Sequence, residues 1–100
     1  MNYECENPVL FHVWNRIDVV KRVLKEIKKT KPCKLYLSSD GPRNLEDKEK
    51  ILKIRKYIIG NINWKCRLIK IYYKKNLGPK YALVSSINKI FKKEKKFRKK

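Results

Sequence analysis

Apolar positions along this chain come in two rhythms. Nearly continuous runs occur at Pro8 to Trp14, Leu35 to Ser39 and Leu68 to Tyr73. Each ends in a polar cluster, after which apolar positions recur three and four residues apart, the spacing of one helix face. In the first run Val9-Leu10-Phe11-His12-Val13-Trp14 has the composition of a strand buried on both faces of a parallel sheet. Asp18 then falls at the cap or in the first turn of a helix whose apolar stripe is Val19, Val20, Val23, Leu24 and Ile27. Lys28 to Lys31 sit where the helix dipole favours cations, and Pro32 stops the helix.

The second strand spans Lys34 to Ser39, and Gly41-Pro42 forces a turn after it. Asn44 is placed to cap a second helix, with Glu46 and Asp47 in its first turn. That helix runs to about Ile59, buries Ile51, Ile54 and Ile58 flanked by Leu52 and Ile59, and ends at Gly60-Asn61. A third strand starts at Trp64 or Lys65 and reaches about Tyr73. The last helix starts near Pro79, a residue suited to a first helical position, and offers Ala82, Leu83, Ile87, Ile90 and Phe91 to the core.

Strand–helix repeated three times, joined by right-handed crossovers, gives an α/β fold. It is a three-layer, Rossmann-like half sheet of parallel strands in order 3-2-1, with helices on both faces. A doubly wound sheet would add its fourth strand beside strand 1, where this chain instead ends in lysines. Strand 1 is therefore expected to be an exposed apolar edge, and self-association through it is expected.

Composition bounds the rest. One hundred residues, 42% of them apolar and 37% charged, suit a single small globular domain. No apolar run approaches the roughly 20 residues of a membrane span. The first six residues lack the features of a signal peptide, so the expected location is the cytoplasm, including the inner face of a membrane. Cys5, Cys33 and Cys66 form no paired motif and are expected to be free thiols, and no metal site is expected. The formal charge is +19, but 22 of the 28 basic residues are Lys, and Ile, Asn and Tyr are abundant too. All four have AT-rich codons, so a compositional bias spread over solvated faces accounts for much of the charge. Clustered Arg and exposed aromatics, which base readout favours, are not evident, and no specific nucleic-acid partner is expected.

Candidate chemistry gathers at the strand ends, where open α/β sheets bind ligands. Asp40, before a Gly-Pro turn, can accept hydrogen bonds from a base or ribose, or can bond its own turn backbone, and its chemistry leaves both open. Asn15 and Arg16 end strand 1; they serve a nucleotide, or serve as a helix cap and a solvated cation. Arg43 follows the turn and could act in the same way. Asn76-Leu77-Gly78-Pro79-Lys80 leads into a helix N-terminus, whose free N–H groups favour anions, although no Walker or G-x-G-x-x-G loop is present. His12 reads as a packed core residue, and Ser85 and Ser86 have no partnership that would make a nucleophile.

Together Pro8 to Asp18, Leu35 to Arg43 and Asn76 to Ala82 resemble the N-terminal half of an inverting, family-2-like glycosyltransferase of GT-A fold. The likeness covers roughly residues 8 to 92, leaving 1–7 as a lead-in and 93–100 as a basic tail. It implies nucleotide-binding roles for Asn15, Arg16, Asp40, Arg43, Asn76, Gly78 and Lys80, with Asp40 on a base, commonly uracil. The implied donor is a UDP-sugar and the acceptor a glycan or lipid-linked sugar. Such enzymes hold Mg²⁺ or Mn²⁺ through a later Asp-x-Asp motif and carry their catalytic base later still. Neither occurs here, so the chain reads as a truncated GT-A fold with no assignable metal ligand or catalytic residue, inactive alone. The alternative is a basic module for nucleic acid or an anionic surface.

Overall fold

The computed structural model describes residues 8–94. Strands β1 (Val9–Val13), β2 (Lys34–Ser39) and β3 (Arg67–Tyr72) alternate with helices α1 (Ile17–Thr30), α2 (Leu45–Asn61) and α3 (Pro79–Lys93). The sheet is parallel with β2 in the centre, in the order β1-β2-β3. Val9 lies opposite Leu35, and Leu35 opposite Leu68.

Because side chains alternate across a strand, β2 divides its residues between two layers. Leu35 and Leu37 face one way and pack with Phe11 and Val13 of β1, Val20 and Leu24 of α1, and Ile54 and Ile58 of α2. Ser38 faces the other way, towards Ser86 of α3. Helices therefore cover both faces, α1 and α2 on one and α3 on the other. The second face is the more polar. From His12 Nδ1 a chain of short contacts runs to Ser38 Oγ (2.9 Å), on to Ser86 Oγ (2.6 Å), and from Ser86 to Tyr73 OH (3.0 Å).

Several sequence expectations change in detail. Within α1, Val20 and Leu24 are buried, but Val19 and Val23 are exposed. Together with Leu10, His12, Trp14 and Arg16 they line a groove of about 340 Å³ along β1. In α2, Leu52 and Ile59 lie outside the core that Ile51, Ile54 and Ile58 form. Gly60 does not end that helix; its last turn continues through Asn61, and the cap at Ile62 is extended. Only Ala82 and Ser86 of α3 are fully buried, and Phe91 is exposed. Beyond α3, Glu94 folds back to accept from Lys34 Nζ and Tyr36 OH. Lys34 draws the Glu94 carboxyl below its ordinary range.

The expected order holds, with β2 in the centre and β1 and β3 at its sides. Among the described residues β1 pairs only with β2. Val13 O accepts from Asp40 N (3.4 Å), so the alternation of a parallel ladder turns the peptide groups of Leu10 and His12 away from β2. Cys66 is a free thiol, as expected, whereas Cys33 is disulfide-bonded, which corrects the expectation for that residue. No described helix is long and apolar enough to cross a membrane.

Candidate functional site

The carboxyl ends of the three strands meet around Asp40, which is fully buried. Asp40 Oδ1 accepts from the backbone N–H of Gly41 (2.7 Å) and of Leu77 (2.9 Å). Asp40 Oδ2 accepts from Asn76 Nδ2 (3.2 Å), which also donates to Gly41 O (2.9 Å). One carboxylate thus ties the loop after β2 to the loop before α3. Gly41 makes this closeness sterically feasible, because a Cβ there would stand 2.5 Å from the Lys75 carbonyl carbon and oxygen. Of the two readings left open by the sequence, the bond to its own turn is present, and Asp40 also reaches the Asn76–Gly78 loop.

A half-buried cation supports the same corner from below. Arg55 of α2 donates from Nε to Ser39 Oγ (2.9 Å) and from a terminal nitrogen to Ser39 O (3.4 Å) and Asp40 O (3.3 Å). Its guanidinium lies 4.0 Å from the centre of the Tyr72 ring. Burial lowers the pKa of Arg55 and raises that of Tyr72.

Beside this corner a second cluster forms on Asp47, in the first turn of α2. Asn44 caps that helix as expected, its Oδ1 accepting from Asp47 N (2.9 Å). Asp47 in turn accepts from Arg43 Nε (2.7 Å), the Arg43 N–H (3.2 Å) and Asn15 Nδ2 (3.0 Å). Those donors, Arg43 first, hold its carboxyl well below the usual carboxylate range. The Arg43 guanidinium stacks 4.6 Å above the Trp14 ring, and Asp47 keeps it protonated to higher pH than usual. Trp14, Asn15, Arg43 and Asp47 therefore form one unit joining the end of β1 to the start of α2.

The expected site residues thus fall into three groups. Asp40, Asn76 and Gly78 share one loop junction, with Gly78 in a left-handed conformation (φ 91°) as the cap of α3. Asn15 and Arg43 are joined through Asp47. Arg16 and Lys80 point outward: Arg16 pairs only loosely with Asp18 (3.4 Å) and Lys80 is exposed. Asn15, Asp40 and Gly78 do not surround one open concavity, because the Asp40 oxygens are enclosed by the two loops. The groove along β1 includes Trp14 and Arg16 but not Asp40 or Gly78.

Asp47, Trp14 and Arg55 were not singled out by sequence reasoning. The signal for Asp47 was present, as an Arg–Asp pair four residues apart across a helix cap. No comparable local signal marked Arg55, whose partners are 15 and 16 residues away. Among the described residues no group of three or more His, Cys, Asp or Glu could hold a metal ion. Comparison with protein-family models, with curated proteins and with solved structures finds no match.

Proposed function

We propose that residues 8–92 form the nucleotide-binding half of a nucleotide-diphospho-sugar transferase, engaging a nucleoside diphosphate at the carboxyl edge of the sheet. The observation that carries this reading is the junction of the β2 and β3 loops on Asp40, placed where open α/β sheets take their ligands. Exposed cations at that edge include Arg16, Lys74, Lys75 and Lys80. Next to Lys80 the first turn of α3 presents backbone N–H groups without helical partners, which adds to the attraction for an anion. The Arg43–Trp14 stack offers a planar, charged surface on the other side of the corner. In this arrangement Asp40 positions the loops. A base would meet their backbone groups first, and Asp40 directly only if Asn76 released its second oxygen.

No transfer step is derived, because the described residues hold neither a metal-ligand group nor a base facing an acceptor. The proposal therefore concerns donor binding. Titrating uridine diphosphate into the isotopically labelled chain should move the amide resonances of Gly41, Leu77, Gly78 and Lys80, leaving those at the amino ends of the strands in place. If pyrophosphate alone reproduces the whole pattern, the edge is an anion site without nucleoside selectivity. No movement at that edge at millimolar nucleotide would sink the reading.

A further inference from the structure

Helix α2 is apolar on two sides. Its inner side buries Ile51, Ile54 and Ile58. Its outer side carries Leu45, Leu52 and Ile59, which are 78%, 51% and 39% exposed. These three are seven residues apart, two helical turns, so they form one line along the solvent side. Lysines flank that line at Lys48, Lys53 and Lys56, all exposed. Helix α1 lies on the same face of the sheet, and between the two helices runs a groove of about 500 Å³ lined by Lys21, Lys25, Lys28, Lys29, Tyr57 and Asn61. Lys21 Nζ stands 5.5 Å over the Tyr57 ring. Acids are fewer than cations on this layer: Asp18 is paired with Arg16, Glu26 is bonded to Lys29, Glu46 is paired with Lys50, and the exposed Glu49 lies between Leu45 and Leu52.

We infer that the outer surface of the α1–α2 layer docks on an anionic lipid bilayer, with Leu45, Leu52 and Ile59 seated at the level of the headgroups and the lysines on lipid phosphates. An aliphatic line bordered by lysines is the arrangement of a helix lying in the membrane interface. Charge complementarity selects this occupant over the others. A second copy of the chain would bring +19 against +19. A nucleic acid would leave the aliphatic line unmatched, because that line has neither the aromatic rings on which bases stack nor an arginine to read base edges. Lysine ammonium groups, by contrast, attract an anionic leaflet without needing bidentate geometry. The surface lies on a helix layer, apart from the carboxyl edge, so the inference does not depend on the nucleotide reading.

The test is co-sedimentation of the full chain with vesicles of phosphatidylcholine alone and of equal parts phosphatidylcholine and phosphatidylserine. Binding is expected only to the anionic vesicles. Replacing Lys48, Lys53 and Lys56 together by Gln should weaken it on the order of a hundredfold. The pair L45S and L52S should weaken it on the order of tenfold. Both positions are at least half exposed, and circular dichroism checks that each variant keeps its fold. Equal binding to both kinds of vesicle, no binding, or binding indifferent to the leucine pair overturns the inference. Failure with vesicles, combined with lysine-dependent retention of a labelled single-stranded oligonucleotide, gives the surface to nucleic acid. A concentration-dependent dimer abolished by L52S gives it to a second copy. Either result overturns the bilayer.

Discussion

At the scale of single residues, the corner around Asp40 depends on what is missing from Gly41. A methyl group there would overlap the Lys74–Lys75 backbone, which cannot swing aside as a side-chain tip can. Gly41→Ala is expected to destabilise the chain by about 3 kcal/mol or more, with loss of amide protection at Leu77, measurable by urea unfolding and hydrogen exchange. His12 makes a different prediction. Burial lowers the pKa of its imidazole from 6.5, and the Asp40 charge restores part of the difference. The unfolded chain therefore takes up a proton in a range where the folded chain still resists one. Stability is complete above the unfolded value and falls as pH drops through it. The urea midpoint should be lower at about pH 5.5 than at about pH 7.5, and His12→Gln should remove that difference, since His12 is the only histidine.

At the scale of elements, local patterns carried most of the architecture. The limits of β2 and the starts of α2 and α3 coincide with expectation, because each is marked by a cap, a turn or a proline acting over a few residues. What changed was the width of the buried face. In α2 the expected line Ile51, Ile54 and Ile58 is buried, but Leu52 and Ile59, read as its flanks, lie exposed, because periodicity does not fix how far around a helix the core reaches. The α3 stripe holds at Ala82, is half-buried at Leu83, Ile87 and Ile90, and is lost at Phe91. Beside Ala82 the buried place is taken by a serine, held by Ser38 across 48 residues of sequence. The candidate site divides in the same way. Asn15, Asp40 and Asn76 could be named from their places at strand ends, whereas their partners Asp47, Gly41 and Leu77 follow from long-range closure.

At the scale of the whole molecule, charge acts against an edge that has no partner beyond β2 among the described residues. Beyond β2, the peptide groups of Leu10 and His12 face away from the sheet beside the exposed Val19 and Val23, an arrangement that recruits strands. A formal charge of +19 holds copies apart. Salt shortens the reach of that repulsion to about 8 Å at physiological strength and about 3 Å at 1 M, and leaves backbone pairing intact. Self-association is therefore expected to rise with added salt, as followed by sedimentation velocity. A chain that stays monomeric across the whole salt range would show that the edge is already satisfied.

The two faces of the sheet also imply unequal responses to cooling. Leucine, isoleucine and valine attach α1 and α2, and that kind of attachment weakens as temperature falls. The hold on α3 owes more to hydroxyl groups handing hydrogen bonds from Ser38 to Ser86 and Tyr73. Near freezing, the layer with the larger apolar core becomes the looser one, and α3, the helix with the fewest buried hydrocarbons, keeps its seat.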